Sequence, residues 1–447
     1  MKVLLIQPKF KTHLITPPLG LGYLASSLLT DGHNVKLLDC VAKNIDVIRE
    51  IQSFRPDFIG ITILSASYTA SIRLIKEIKQ FSNAKIVIGG QHPTALPEQS
   101  LKDTNADYCI IGEGEETFKE LCSNSNVYSI SGLAINSNNI ISFTKERNLI
   151  KDINSIPFPA WNLIKPEMYP PSPHGAFYKY FPIAPIITTR GCPYDCLFCA
   201  SKNMWKGKLR IRNASNVVDE IELLNKGYGI KEFHFEDDNL TFSKSHAMDI
   251  CEEIVERKLK IVWACPNGVR IDKLDHELIH AMKRAGCYQL SFGIESGNQQ
   301  ILDSINKHLK LEIVPDIIDQ VKSEGIITNG FFIIGLPDDT IETVEDTINF
   351  ALKVPFDRVQ FSRFMPLPGT QPFNEWYKPN FDWDMINLVG ETTYNSKYLT
   401  SKEIAELQQK AFRKFYFRPS VMLKTFSSIK LNQVIWLVKR TGDYKLW

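Results

Sequence analysis

The sequence has no long apolar run and almost no net charge. Its 447 residues hold 52 Lys and Arg against 50 Asp and Glu, and the net charge of +2 gives no general attraction to nucleic acid or to an anionic membrane. No run approaches the roughly 20 apolar residues of a transmembrane helix, and the apolar run 3–6 is too short for a signal-peptide core. We therefore expect a cytoplasmic globular protein without a transmembrane segment and without a nucleic-acid partner.

The nine cysteines lack the pairing of a disulfide framework. Six stand singly among apolar neighbours, which is typical of buried thiols in a reducing compartment: Cys40, Cys109, Cys122, Cys251, Cys265 and Cys287. The other three, Cys192, Cys196 and Cys199, lie close together in the segment TTRGCPYDCLFCA. Thiolates are soft ligands for iron, and three of them can hold a 4Fe-4S cluster with one iron left open. The alternatives are unrelated buried cysteines or a zinc site, although no nearby Cys or His pair follows to complete zinc coordination.

Residues 1–122 alternate between strand-like and helical patterns. Strands are expected at 3–6, 35–38, 58–63, 86–88 and 108–111, with an amphipathic helix at 71–81. This order predicts an α/β domain with a Rossmann-like parallel sheet, which binds ligands at the carboxyl ends of its strands. A tight turn explains each glycine there taken singly, and a turn before proline explains the histidine. As a set, the loops at that edge give these candidate ligand-binding residues: Pro18, Leu19, Gly20, Ser65, Ser67, Tyr68, Gly89, Gly90, His92, Pro93, Thr94, Glu113 and Gly114.

Three further regions follow the first domain. Residues 123–180 are expected to form a connector with a hairpin at 133–141 and a boundary rich in proline: Pro157, Pro159, Pro166, Pro170, Pro171 and Pro173. Residues 181–370 repeat the strand–helix pattern six times and predict a partial (β/α)6 barrel, with strands at 186–189, 232–236, 261–264, 288–292, 328–334 and 358–361. Residues 371–447 are expected to be mainly helical, with a helix at 401–415. Their aromatic residues are expected to close the barrel, and a basic aromatic surface for lipid or RNA is the alternative.

The cysteine segment resembles the CxxxCxxC signature of the radical S-adenosylmethionine enzymes. Four further motifs, FEDDN, GIESG, IIGLPDDT and MPLPGT, follow it in the order expected for that family. In the first domain, PPLGLGYLAS, GGQHPTALPE and IIGEGEE look like the cobalamin-binding domain of cobalamin-dependent radical enzymes. The chain thus resembles the class B radical methylases and the anaerobic magnesium-protoporphyrin ester cyclases.

The resemblance implies specific ligand roles. Cys192, Cys196 and Cys199 would hold a 4Fe-4S cluster whose free iron chelates S-adenosylmethionine. The positions implied for S-adenosylmethionine are Phe198, Asp237, Asp238, Asn239, Arg270, Glu295, Gly335 and Leu336. Of these, Phe198 would meet adenine through its backbone, the acids would face an amino group, Arg270 a carboxylate and Glu295 the ribose hydroxyls. A solvated turn or a surface position also explains each of them singly.

One motif of many cobalamin proteins is missing. The Asp-x-His-x-x-Gly sequence, whose His ligates cobalt in methionine synthase, is absent, because Asp39 is followed by Cys40 and Val41. The resemblance therefore implies a cobalt without a histidine ligand. Ser67 or Tyr68, in the loop after the third strand, is the expected neighbour beneath it.

The implied activity is reductive cleavage of S-adenosylmethionine, hydrogen abstraction from an unactivated carbon and methyl transfer from methylcobalamin. The substrate would be a small molecule, lipid or peptide, and the enzyme would work anaerobically with flavodoxin or ferredoxin as electron donor. Radical cyclisation, deoxygenation or C–C bond formation is the alternative. A methylthiotransferase would carry clustered cysteines in its first domain, where Cys109 instead lies within an expected strand. A non-catalytic electron-transfer or cobalamin protein would not need polar loops around an open iron.

Overall fold

Two large β-sheets organise the chain, one mixed and one parallel. The computed structural model describes residues 1–12, 15–170, 178–378, 381–386, 393–419 and 421–423. Pro171 and Pro173 of the expected linker lie outside the described residues. The tail from Lys424 onward also lies outside them, and with it Lys430 and Trp436, which belong to the basic and aromatic residues of the C-terminal region.

The first domain is built on a seven-stranded sheet. Its elements are β1 Lys2–Gln7, α1 Leu19–Thr30, β2 Asn34–Asp39, α2 Val47–Phe54, β3 Phe58–Thr62, α3 Tyr68–Phe81, β4 Lys85–Gly89, α4 Gln91–Ala95, α5 Pro97–Thr104, β5 Tyr108–Ile110, α6 Glu115–Ser123, β6 Leu133–Ser137 and β7 Ile140–Phe143. The strand order is β2-β1-β3-β4-β5-β6-β7, and β1 to β5 run parallel. Strand β1 is apolar and inaccessible along residues 3–6, as a parallel strand covered on both faces must be.

The Rossmann-like prediction for this domain is confirmed, and the sheet is larger than expected. The predicted hairpin forms as β6 and β7, and it does not stand apart as a connector. Strand β6 pairs antiparallel with β5, with Cys109 opposite Ala134. The hairpin therefore extends the sheet by two strands.

The second domain contains a six-stranded parallel sheet. Its elements are β8 Ile183–Ile186, β9 Thr189–Arg190, α7 Ser201–Trp205, β10 Arg210–Ile211, α8 Ala214–Tyr228, β11 Glu232–Phe235, α9 Lys244–Glu256, β12 Val262–Val269, α10 His276–Arg284, β13 Cys287–Glu295, α11 Gln299–Ser304, α12 Val314–Ser323, β14 Ile327–Ile334, α13 Ile341–Lys353 and β15 Arg358–Arg363. The order β15-β14-β13-β12-β11-β8 gives the six units of the predicted partial barrel. Within the described residues β8 and β15 are its two edges.

The first strand of this barrel begins earlier than predicted. It was expected at 186–189 but runs from Ile183 to Ile186. The reason is that the amides of Thr188 and Thr189 donate to the carboxylate of Asp237. Thr189 and Arg190 then form a separate antiparallel pair with β10.

The C-terminal region divides between the two domains. Helix α14, Gln371–Trp376, and the segment after it pack on the first domain, where Phe373 and Trp383 share an apolar cluster with Tyr68. Helix α15, Ser401–Tyr416, covers β15, and its Gln408 side-chain amide donates to the carbonyl of Phe361 at 2.6 Å. The prediction that the whole region closes the barrel is therefore wrong for 371–386, because the same aromatic composition fits the surface of the first domain. No helix in the described ranges combines the length and apolarity needed to cross a membrane.

Candidate functional site

The three clustered cysteines lie in one loop between β9 and α7. Its entry needs glycine, because Gly191 has a φ of 95° and a Cβ there would lie 2.2 Å from the carbonyl oxygen of Lys208. Within the loop, the amide of Cys199 donates to the carbonyl of Cys196 at 3.1 Å. Cys192 and Cys196 are half-buried and Cys199 is exposed, whereas the other six cysteines are buried. The loop therefore leaves these three cysteines at least partly accessible to solvent.

The donor set fits an iron–sulfur cluster. Although the residue as a whole is exposed, desolvation by the protein atoms packed around its thiol raises the pKa of Cys199 to about 11, and the neighbouring Cys196 and Cys192 also raise it, so the three thiols lie within electrostatic reach of one another. Bound iron would remove this penalty by stabilising the thiolates. In the part of the chain that is described, no three Cys, His, Asp or Glu side chains are arranged to hold a metal ion. That is compatible with a cubane, in which each thiolate binds a different iron.

A buried ion pair lies beside this loop. Glu295 ends β13 with a φ of 71°, and its Oε1 accepts a hydrogen bond from Lys307 Nζ at 2.8 Å. The same ammonium lies 5.9 Å from the ring centroid of Phe198. Burial raises the pKa of Cys196, and the charge of Lys307 opposes that rise. The structure therefore brings the predicted Phe198 and Glu295 together, around a lysine that the sequence analysis missed.

Arg270 lies next to these residues, but all three of its guanidinium nitrogens donate hydrogen bonds within the protein. Its Nη1 and Nη2 donate to the carbonyls of Lys307 and His308 at 2.7 and 2.9 Å, and its Nε donates to Asp272. Its guanidinium carbon is 3.8 Å from the ring centroid of Tyr194 in the cysteine loop. Arg270 therefore positions the turn that carries Lys307, whereas the sequence predicted that it would face a cofactor carboxylate.

Asp237 fastens the chain just before the cysteine loop. One oxygen, Oδ1, accepts hydrogen bonds from the amides and hydroxyls of Thr188 and Thr189 at 2.5–2.9 Å. Burial raises the pKa of Asp237 to about 6. Its neighbour Asp238 is exposed and accepts from Ser201 Oγ at the start of α7 at 2.8 Å. Asn239 is buried, and its Nδ2 has no hydrogen-bond partner among the described residues.

Gly335 and Leu336 end β14 in a closed turn. Both amides donate to Asp339 Oδ2, at 3.0 and 2.9 Å. Burial raises the pKa of Asp339 to about 6, and Thr343 donates to its other oxygen at 2.8 Å. Gly335 and Leu336, which the sequence predicts to meet S-adenosylmethionine, therefore use their amides inside the turn to bind Asp339, a residue that the sequence motifs did not indicate.

The loop after β3 turns its predicted cobalt neighbours inward. Ser67 is buried and exchanges hydrogen bonds with the backbone of Leu64 at 3.0 Å. Tyr68 is inaccessible and donates to Asp103 at 2.8 Å. Leu64 itself is 39% exposed at the end of the strand. The expectation that Ser67 or Tyr68 lies beneath cobalt is therefore corrected, because neither side chain reaches the surface of that edge.

The loop after β4 is also partly closed. His92 is buried, with its ring centroid 3.9 Å from that of Tyr68 in a tilted arrangement and 4.6 Å from that of Trp383 edge to face, and burial lowers its pKa to about 3. Its Nδ1 lies 3.0 Å from Ser65 Oγ. Gly90 needs its φ of 104°, since a Cβ there would lie 2.9 Å from the Ile63 carbonyl. Histidine at this edge is thus a neutral packing residue.

The remaining candidates at this edge are distributed as follows. Pro93 is buried, and Thr94 Oγ1 accepts from the amide of Gly112 at 3.1 Å. Pro18 and Leu19 begin α1, and the Cβ position at Gly20 faces open space. Gly89 ends β4 and Gly114 precedes α6, while Glu113 forms buried ion pairs with Arg190 and Arg210.

A cleft lined by residues of both domains lies between the two parts of the site. Ser65 and Gln91 line it from the first domain. The second domain contributes Ala200, which directly follows Cys199, and Asn203 and Met204 of α7. Leu367 and Pro368 complete it. The ligand edge of the Rossmann-like sheet and the cysteine loop therefore face the same space.

Comparison with known proteins agrees with this arrangement. Residues 9–122 match the B12 binding domain, and residues 186–351 match the radical SAM superfamily. An uncharacterized methyltransferase of Pyrococcus horikoshii is 33% identical over 95% of this chain and 94% of its own length. The chain belongs to the cobalamin-binding radical S-adenosylmethionine enzymes.

Other members of this family extend the comparison. The cytidylyl-2-hydroxyethylphosphonate methyltransferase of Streptomyces wedmorensis is 30% identical over 93% of this chain and 90% of its own. The anaerobic magnesium-protoporphyrin IX monomethyl ester cyclase of Cereibacter sphaeroides is 29% identical over 91% of this chain and 68% of its own. The solved structure of the radical methyltransferase TsrM from Kitasatospora setae shares the fold, with a TM-score of 0.71 at 19% identity over 84% of this chain and 76% of its own. The predictions of family, fold class and enzymatic nature are confirmed, and the family's cofactors are a 4Fe-4S cluster, S-adenosylmethionine and cobalamin.

Proposed function

We propose that this enzyme cleaves S-adenosylmethionine at a cluster held by Cys192, Cys196 and Cys199 and methylates an unactivated carbon of its substrate. The observation that carries the proposal is the shared cleft, which lies between the carboxyl edge of the first sheet and the residues that follow Cys199. When bound, the cluster supplies the electron that generates the adenosyl radical, and cobalamin supplies the methyl group. The protein's own part is to bind, orient and exclude water.

Glu295 and Lys307 are the residues that we assign to S-adenosylmethionine. They form an ion pair in a buried position beside Phe198. A carboxylate accepts from two vicinal hydroxyls, and an ammonium donates to a carboxylate, so the pair can take the ribose and the amino-acid end of one ligand. Asn239, whose buried Nδ2 has no partner among the described residues, and the exposed Asp238 are further donors and acceptors close to Cys192.

Leu64 and Ser65 replace Ser67 and Tyr68 in our assignment for the corrin. Leu64 is an exposed apolar side chain at the end of the central strand β3, and Ser65 lines the cleft. Gly20 and Gly112 leave open space where a side chain would otherwise project. These features support a flat, sparsely occupied edge against which a large planar ring can lie.

Methylation is favoured over cyclisation by the extent of the resemblance. The methyltransferase relatives align over 94% and 90% of their own lengths, whereas the cyclases of Cereibacter sphaeroides and Rubrivivax gelatinosus align over 68% and 80% of theirs. Nine free cysteines, six of them buried, support a reducing compartment, and we therefore place the enzyme in the cytoplasm. We assign flavodoxin or ferredoxin as its electron donor under anaerobic conditions.

Cofactor loading tests this proposal. Anaerobic purification with hydroxocobalamin, followed by reconstitution with iron and sulfide, should give about one corrinoid and about four irons per chain. The absorption spectrum should be that of a cobalamin without a histidine ligand. A purified chain that takes up iron but no corrinoid would rule out the methylation proposal and leave a cobalamin-free radical enzyme.

A further inference from the structure

The cysteine loop is closed at its base by two arginines that face each other. Arg190 lies immediately before Gly191 and Cys192, and Arg210 follows α7 on the other side of the loop. In the two-stranded pair β9–β10 they are direct cross-strand partners. Like charges at such a position repel and would open the base of the loop unless a counter-charge lies between them.

The counter-charge comes from the other domain. Glu113, in the loop after β5, accepts from Arg190 Nη1 at 2.7 Å on one oxygen and from Arg210 Nη1 at 2.6 Å on the other. Glu115 accepts from Arg190 Nη2 at 2.6 Å. Each of these four side chains is less than a tenth exposed, so the pairs are little screened by water.

The two arginines differ in how far they depend on Glu113. Arg190 retains Glu115 if Glu113 is lost, and it lies over the ring of Tyr23. Arg210 also donates to the carbonyl of Ile150 at 2.8 Å and lies over the ring of Trp205, but Glu113 is the one acidic partner that we find for it, and its Nε and Nη2 have no hydrogen-bond partner among the described residues. Removal of the Glu113 charge would therefore leave a buried, uncompensated guanidinium directly opposite Arg190.

We propose that Glu113 of the cobalamin-type domain is a positioning residue for the iron–sulfur cluster. By neutralising Arg190 and Arg210, it keeps the two strands at the base of the cysteine loop together. Because Glu113 belongs to the first domain, retention of the cluster by the second domain depends on this contact between them. The proposal rests on the cluster assignment made above and requires no bound cobalamin.

The test measures how fast a chelator removes iron from the anaerobically reconstituted full-length enzyme without cobalamin. Glu113→Gln keeps the shape and removes the charge, and we expect iron release to be about tenfold faster than in the wild type. Glu115→Gln should have a smaller effect, because Arg190 keeps Glu113. Glu232→Gln is the matched control: Glu232 is a fully buried carboxylate at the opposite end of the barrel sheet, and its loss should lower the melting temperature without changing iron release.

A compensating variant distinguishes positioning from general destabilisation. In Glu113→Gln combined with Arg210→Gln, the repelling charge is gone and Arg190 remains paired with Glu115, so iron release should return toward the wild-type rate. Equal release from wild type and Glu113→Gln, or no recovery in the double variant, would overturn the inference. A wild-type chain that incorporates no cluster would instead overturn the proposed function.

Discussion

Lys307 Nζ lies 2.8 Å from Glu295 Oε1, and both side chains are buried beside the loop that carries the three clustered cysteines. A buried ammonium and carboxylate at hydrogen-bond distance are stable without a ligand. They are also two charged groups that S-adenosylmethionine can engage when it reaches the cluster.

We predict that Lys307→Met keeps the iron content but weakens binding of S-adenosylmethionine by on the order of 1.5–3 kcal/mol, the worth of a hydrogen bond to a charged group. Anaerobic titration calorimetry measures this directly. Lys322→Met is the control, since Lys322 donates to Asp357 at 3.1 Å on the opposite end of the barrel sheet. Equal loss of affinity in both variants would mean that Lys307 acts through stability alone.

The cluster should depend on three cysteines. Replacement of Cys192, Cys196 and Cys199 by Ala should abolish the brown chromophore and all cleavage of S-adenosylmethionine, because we assign these thiols as the cluster ligands. Cys287→Ala, at a buried thiol within β13, should keep both. Retention of the chromophore in the triple variant would place the cluster elsewhere.

Corrinoid binding should respond to Leu64 and not to Tyr68. Leu64→Glu places a charge on the exposed end of β3, where we assign the corrin, and should reduce corrinoid content severalfold. Tyr68→Phe removes a hydroxyl that is bonded to Asp103 inside the domain, and it should leave corrinoid content unchanged. Absorbance of the reconstituted proteins gives both values, and the reverse pattern would restore Tyr68 as the cobalt neighbour.

Asp237 should make the unfolding free energy fall as the pH rises. Its folded-state pKa of about 6 lies above the ordinary 3.8, so the unfolded chain loses this proton first and the folded state is disfavoured progressively from about pH 4 to 6. Asp237→Asn lacks this proton, and its stability relative to the wild type should rise by on the order of 2 kcal/mol across that range. Urea unfolding of the metal-free chain at pH 4.5 and 6.5 measures the difference.

The sequence patterns predicted most of the architecture. Each parallel strand was visible as an apolar run, and the cysteine spacing alone selected the loop to which we assign the cluster. The shift of the first barrel strand could not be predicted from the apolar pattern, because residues 186–189 have β-like composition. The strand ends early because the amides of Thr188 and Thr189 donate to Asp237.

The direction of a side chain and its contacts with residues distant in the sequence could not be predicted from the sequence patterns. Tyr68 was predicted to face the corrin, but its hydroxyl bonds Asp103, 35 residues away. Lys307 lies in a turn 12 residues beyond Glu295 and carries no motif of its own. Glu113 was assigned to cobalamin because of its loop, and its bond to Arg190, 77 residues away, is set by how the two domains pack.

The most direct measurement is product analysis with S-adenosylmethionine labelled on its methyl group, using reduced enzyme with and without cobalamin. With cobalamin, the enzyme should form S-adenosylhomocysteine and, at the cluster, 5′-deoxyadenosine. With the true substrate, one of each should accompany every methylated product, which carries the label. Without cobalamin, S-adenosylhomocysteine should disappear while 5′-deoxyadenosine remains. Formation of 5′-deoxyadenosine alone, whether or not cobalamin is bound, would contradict methylation.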